Sequence, residues 1–186
     1  MRVVAFQGSP RKGGNTELLL GEAVAGAGGE ARVFDLNAVE LIPCQNCGGC
    51  EESGVCILQD DMNAIYKALR EADRIILASP IYFMGLSAQA KAMVDRCQAF
   101  WCEKYLLGKP IPAGPEGRKG LLLLVGGMKK EQGVRCAEAS ATAFFRSISV
   151  PEHRTLSYLG VDAKGEIRKH PTALRDARRA GEELVR

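Results

Sequence analysis

The sequence is short of the features by which many functions are recognised. It has one tryptophan and two histidines in 186 residues, and aromatic residues make up only 6% of it. Neither His153 nor His170 stands in a pattern with a nucleophile, so no hydrolase triad is visible. The formal net charge is only +3, with lysines and arginines dispersed among acids, which argues against a nucleic-acid partner or a membrane surface. The longest apolar run, LLLLV at 121–125, falls far short of the roughly 20 residues that span a bilayer. No apolar leader segment follows Met1-Arg2, and the expected setting is cytoplasmic and reducing. No repeat, linker or low-complexity stretch interrupts the chain, and residues 1–186 read as a single domain.

What the chain does have is an alternation of short apolar runs with longer segments of helical period. RVVAFQ (2–7), ARVFDL (31–36), RIILA (74–78), GLLLLV (120–125) and RTLSYL (154–159) read as strands. Helices are expected over 16–27, from the capping residues Asp60-Asp61, from Leu86, over 134–147 and from about 171. From Leu86 onward, Ala90, Met93, Val94, Cys97 and Trp101 trace one helical face. Nearly continuous apolar strands are buried on both faces, so the fold class is α/β, a three-layer, doubly wound, five-stranded parallel sheet in the order 2-1-3-4-5.

The first βα turn is GSPRKGGNT, residues 8–16. A helix N-terminus at the carboxyl end of a parallel strand offers free N–H groups and a partial positive charge, which suits an anion. Ser9, Asn15 and Thr16 supply donors, Arg11 and Lys12 supply charge, and Gly13 and Gly14 allow close approach. The Gly-Lys-Ser/Thr ending of a triphosphate loop is missing, and Pro10 stands where a dinucleotide fingerprint needs glycine. A terminal phosphate monoester fits what remains. On the same edge, Pro80, Ile81, Tyr82, Phe83, Met84 and Gly85 follow the third strand, and Gly126 and Gly127 follow the fourth. An apolar wall with accessible backbone groups suits a flat aromatic ligand.

GSPRKGGNT, SPIYFMG and the GG pair, in this order and spacing, resemble the NAD(P)H-dependent FMN reductases of flavodoxin-like fold. The resemblance implies FMN, with its phosphate at the 8–16 loop, its ring along Pro80 to Gly85, and Gly126 and Gly127 near its far side.

Four of the seven cysteines, Cys44, Cys47, Cys50 and Cys56, follow the second strand in a loop at 43–60, on the same carboxyl edge as the 8–16 turn, with C-x2-C-x2-C-x5-C spacing. In a reducing compartment such a set argues for metal ligation or thiol chemistry over structural disulfides. Four thiolates ligate an iron–sulfur cluster or tetrahedral zinc, and bare thiols are the third state. The motif is similar to that of the iron–sulfur flavoproteins, a subgroup of the same family. That similarity implies a [4Fe-4S] cluster, a homodimer or tetramer, and electron exchange with FMN. The expected function is therefore an FMN-dependent oxidoreductase passing electrons from NAD(P)H, or from a ferredoxin through the cluster, to a small-molecule acceptor. A cluster-free NAD(P)H-dependent FMN or quinone reductase, and a non-enzymatic flavin carrier or thiol redox sensor, are the alternatives. Cys97 reads as core; Cys102 and Cys136 have no recognisable spacing to anything.

Overall fold

The computed structural model describes residues 1–186. The strands are β1 (Val3–Gln7), β2 (Ala31–Asp35), β3 (Arg74–Tyr82), β4 (Gly85–Leu86), β5 (Lys119–Gly126) and β6 (Glu152–Leu159). Five of them run parallel in the order β2-β1-β3-β5-β6. Among the long strands alone that is the expected 2-1-3-4-5. The difference is β4, a two-residue hook antiparallel to the end of β3, which the sequence reading leaves inside a loop. Loop and hook arise together because β3 runs on to Tyr82, well past Ala78.

Helices α1 (Asn15–Gly26) and α6 (Ala173–Leu184) cover one face. The other carries α2 (Met62–Glu71), α3 (Ala88–Arg96), α4 (Gln98–Trp101) and α5 (Glu131–Ser147). The strand period of two sorts the core between them: Val4, Phe6, Ile75 and Leu77 pack under one layer, Val3, Ala5, Ile76 and Ala78 under the other. The long helix expected from Leu86 breaks at Cys97 and ends in a single π-helical turn, Cys102–Leu106. The break changes the helix phase. Ala90, Met93 and Cys97 are buried as expected, whereas Trp101 is 41% exposed and lies against Tyr105.

Two contacts fix the frame. Gly26 and Gly181 bring α1 and α6 into backbone contact: a Cβ on Gly26 would meet the Arg178 carbonyl, and one on Gly181 the Ala23 carbonyl. At the amino ends of the strands, buried Arg74 and Arg118 donate to carbonyl oxygens at the ends of three helices, Leu184 and, for Arg118, Ile148 and Leu69. Cations at helix C-termini satisfy orphan carbonyls and the helix dipole together. That edge is thereby tied to the helix ends, and the carboxyl edge carries the long loops.

Candidate functional site

The turn after β1 is built by backbone proximity. Gly8 N–H donates to the Ala78 carbonyl at 2.8 Å, and a Cβ on Gly8 would lie 2.9 Å from that oxygen and 3.0 Å from Ala90 Cβ. No side chain fits there. The Gln7 carboxamide clips the turn by accepting from Ser9 N–H and donating to the Ser9 carbonyl, while Ser9 Oγ accepts from Arg11 N–H at 3.2 Å. Ser87 ties the turn to the next loop: its Oγ donates to the Gly8 carbonyl at 2.6 Å and caps α3 by accepting from Ala90 N–H. Ser87 N–H in turn donates to Ser79 Oγ. The first turn, β3 and the head of α3 are thus fixed by a buried polar chain whose members satisfy each other.

The opposite wall is a tight hairpin. Ile81 pairs with Leu86 and Tyr82 with Gly85, leaving Phe83 (φ 45°) and Met84 (φ 65°) as the two central residues, both left-handed. Asn-Gly is the ordinary solution for such a turn. Two bulky residues there hold backbone strain, and the Phe83 ring projects fully into solvent beside half-exposed Tyr82.

Between these loops lies an open cleft of about 440 Å³. It gathers Ser9, Arg11, Asn15 and Thr16 from the first turn and Pro80, Ile81, Tyr82 and Phe83 from the hairpin, with Gly127 from the turn after β5. Lys12, Gly14, Met84, Gly85 and Gly126 adjoin the cleft without lining it. Gly14 is the residue before α1, and a Cβ on it would stand 2.7 Å from the Arg11 carbonyl. Asn15 lines the cleft, yet its carboxamide is engaged: Nδ2 donates to the Ala163 carbonyl and Oδ1 accepts from Ile167 N–H. It holds the loop after β6, and what it offers an anion is its backbone N–H.

That last loop is what the sequence reading missed. Val161 and Asp162 line the cleft, Arg11 Nη1 donates to the Asp162 carbonyl at 3.0 Å, and the Lys164 side chain lies alongside Gly13. Val125 and Met128 complete the apolar lining. The signal was present, since β6 ends at Leu159 and ligands in parallel sheets sit beyond strand carboxyl ends. Both histidines are structural: His153 stacks on Phe145, and His170 Nδ1 accepts from Thr172 and Ala173 N–H at the head of α6.

The cysteine segment forms a second site. Its neck is clamped by a buried ion pair. Asp60 accepts from Arg96 Nη1 (2.6 Å) and Nη2 (3.2 Å) and from the N–H groups of Ile42 and Met62. Arg96 also donates to the Ile42 carbonyl. Burial opposes ionisation of Asp60, but Arg96 and the two N–H groups outweigh it and hold the carboxyl below its ordinary value. Within the loop, Asn46, Gly48 and Gly54 are left-handed. Cys44, Cys47, Cys50 and Cys56 all line one cavity of about 30 Å³, beside Arg96 and Gln98. Four thiols on one cavity are the donor chemistry of a thiolate-held metal group. Their side chains as arranged do not converge in threes at metal-binding distance. Cys50 Sγ instead lies 3.6 Å from Cys102 Sγ, and burial together with this neighbour pushes the Cys50 thiol up to about 12.

The sequence reading puts these cysteines on the edge that carries the cleft. The structure sets them apart, and the two cavities share no lining residue. Helix α3 spans the gap: Ser87 at its head bonds the Gly8 carbonyl, and Arg96 at its foot lines the cysteine cavity. At 1.5 Å per residue that is about 14 Å.

The chain matches the family described as NADPH-dependent FMN reductase over residues 1–157. Among curated proteins it is 48% identical to the iron-sulfur flavoprotein MJ1083 of Methanocaldococcus jannaschii over 99 residues, 52% of this chain and 51% of that one. It is 36% identical to an iron-sulfur flavoprotein of Archaeoglobus fulgidus over 128 residues, 67% of this chain and 62% of that one. The matched part thus spans about half to three-fifths of these relatives. Among solved structures, an NAD(P)H:quinone oxidoreductase from Methanothermobacter marburgensis superposes with a TM-score of 0.72 at 20% identity, covering 100% of this chain and 95% of that one. An FMN-dependent NADH-azoreductase from Bacillus anthracis, in complex with FMN, reaches 0.74 at 11% identity over the full length of both. These structural likenesses establish the flavodoxin-like fold. No helix is long and apolar enough to cross a membrane.

Proposed function

Because this chain belongs to the NADPH-dependent FMN reductase family, we propose that it is a flavin-dependent oxidoreductase that binds FMN in the cleft at the carboxyl edge of its sheet. The observation that carries this reading is the cleft itself: the first turn, with its free helix-end N–H groups and Arg11, faces an apolar hairpin across about 440 Å³, a volume that suits a cofactor-sized ligand. FMN when bound supplies one- and two-electron transfer chemistry, and the protein's part is binding, orientation and tuning. Thr16, the N–H groups at the head of α1 and the Arg11 guanidinium would hold the phosphate; Arg11 keeps free donors beyond the one given to Asp162. Ile81, Tyr82, Phe83 and Met128 would line the ring.

The second part of the proposal is a [4Fe-4S] cluster held by Cys44, Cys47, Cys50 and Cys56. Support comes from their shared cavity and from relatives named iron-sulfur flavoprotein. NAD(P)H or a ferredoxin is the proposed electron source, a small molecule the acceptor, and a homodimer or tetramer the working assembly. Anaerobic purification with an absorbance spectrum and FMN, iron and sulfide assays tests both parts. Stoichiometric flavin with iron and sulfide is expected; flavin alone would overturn the cluster, and failure to bind added FMN would overturn the whole reading.

A further inference from the structure

The fifth cysteine of this region is the unexplained one. Cys102 opens the π-helical turn after α4 and is fully buried. A single π turn displaces a side chain from the helical register, and such turns are frequent at functional sites. Here the turn puts Cys102 Sγ 3.6 Å from Cys50 Sγ, with Gln98 Nε2 donating to the same sulfur at 3.6 Å. The pair joins the cysteine loop to the helical layer across 52 residues of sequence, next to the cavity that all four loop cysteines share.

The geometry points to Cys50 and Cys102 as a reversible disulfide site, one that competes with metal binding for Cys50. The sulfurs are in van der Waals contact and must close to about 2.05 Å to bond. The roles divide by access. Cys50 is half-buried and reachable from solvent, whereas Cys102 is enclosed, so Cys50 meets the oxidant and Cys102 resolves it.

With a small-molecule disulfide such as oxidised glutathione, the Cys50 thiol first gives up its proton to solvent; its sulfur then attacks one sulfur of the disulfide, and one glutathione leaves. Cys102 then attacks Cys50 Sγ, expelling the second glutathione. Two cysteine thiols are oxidised, one glutathione disulfide is reduced to two thiols, and the two cysteine protons end on those products. The closed bond removes Cys50 from the four-cysteine set and staples the loop to the Cys102–Leu106 turn. That consequence for metal loading rests on the cluster reading above; the bond itself does not.

The test uses the full chain, reduced, freed of metal by a chelator, then incubated with oxidised glutathione and digested without reduction. A linked Cys50–Cys102 peptide pair, lighter than the two free peptides by two hydrogen atoms, is the expected mass-spectrometric product, absent from Cys102→Ala. FMN binding serves as the check that this variant folds; should it fail, Cys50→Ser gives the same readout from the exposed loop. Cys50 joined to Cys44, Cys47 or Cys56 instead, or Cys102 still alkylated in full after denaturation, would overturn the proposal. The oxidised chain is also expected to lose uptake of ferrous iron and sulfide, and dithiothreitol to restore it; equal uptake by oxidised and reduced chains would overturn the competition. A reduced chain that takes up no iron would sink the cluster reading, and the peptide map would still decide the pair.

Discussion

Replacing Asp60 with asparagine tests whether the neck of the cysteine loop is held by charge. The Arg96 side chain is 0% and the Asp60 side chain 5% exposed, so neither ion can turn to water when its partner is lost. Arg96 Nε is already buried without a partner, which leaves no slack. The asparagine amide would also aim donors at a site where Arg96 and the N–H groups of Ile42 and Met62 all donate. Breaking a buried pair by removing one partner costs about 3–5 kcal/mol, a large part of a total near 5–15 kcal/mol. For a chain of this length each kcal/mol lowers Tm by about 2–4 °C, so the expected drop is about 6–20 °C. Urea unfolding followed by circular dichroism should show a lower midpoint at unchanged slope. The Asp60→Leu/Arg96→Met double variant should recover part of the loss, because two apolar side chains carry no ionic desolvation penalty, although the Ile42 and Met62 N–H groups lose their acceptor. The sign with pH is fixed by the depressed Asp60 carboxyl: its contribution is complete above the unfolded value near 3.9 and fades as pH falls through the lower folded value. Asp60→Asn removes that part of the acid limb. Stability within about 1 kcal/mol of the parent, or single variants that simply add in the double, would refute the reasoning.

Gly181→Ala should destabilise by about 3 kcal/mol or more through overpacking, although glycine to alanine inside a helix ordinarily gains about 1 kcal/mol; a thermal melt that rises would disprove the backbone contact of α1 with α6. Phe83→Asn together with Met84→Gly relieves two left-handed residues, and a gain of about 1–3 kcal/mol is expected. In the same variant FMN should bind more weakly, since the cleft loses the Phe83 wall; fluorescence titration of FMN reads this. Thr16→Val should raise the FMN Kd about 10- to 150-fold, the range for a lost hydrogen bond of about 1.5–3 kcal/mol to a charged group, with stability little changed; an unaltered Kd would remove Thr16 from the phosphate site.

The sheet was legible because its strands are apolar on both sides, and LLLLV or RIILA has few other places to go. The first turn was legible because glycine, a helix start and clustered donors coincide at residues 8–16. Asn15 shows the limit: donor chemistry can be read from the sequence, but its partners Ala163 and Ile167 lie about 150 positions away and belong to the packing. Arg96 is a sharper instance. In sequence it is one cation on a helix, and nothing local reveals that it closes the neck of a loop 36 residues earlier. Trp101 was misassigned for a related reason: helical periodicity holds only while the helix does, and the break at Cys97 ends it.

The two sites draw on different physics, and this bears on how they can be separated. The frame of the cleft depends on close backbone approach at Gly8 and on mutual satisfaction among Ser79, Ser87 and Gly8, so it is tight and local. The cysteine cavity depends on an ion pair and on a loop whose own residues supply few apolar anchors; Val55 and Ile57 face solvent. Helix α3 links the two, with Ser87 bonded to the first turn at one end and Arg96 bonded to Asp60 at the other. A helix of two and a half turns held in the core at Ala90 and Met93 does not pass on a side-chain rearrangement at its foot unless its middle also moves. Loss of the Asp60–Arg96 pair should therefore loosen the cysteine loop, seen as protease cleavage within 43–59, while the FMN Kd of the surviving folded chain stays within about threefold of the parent.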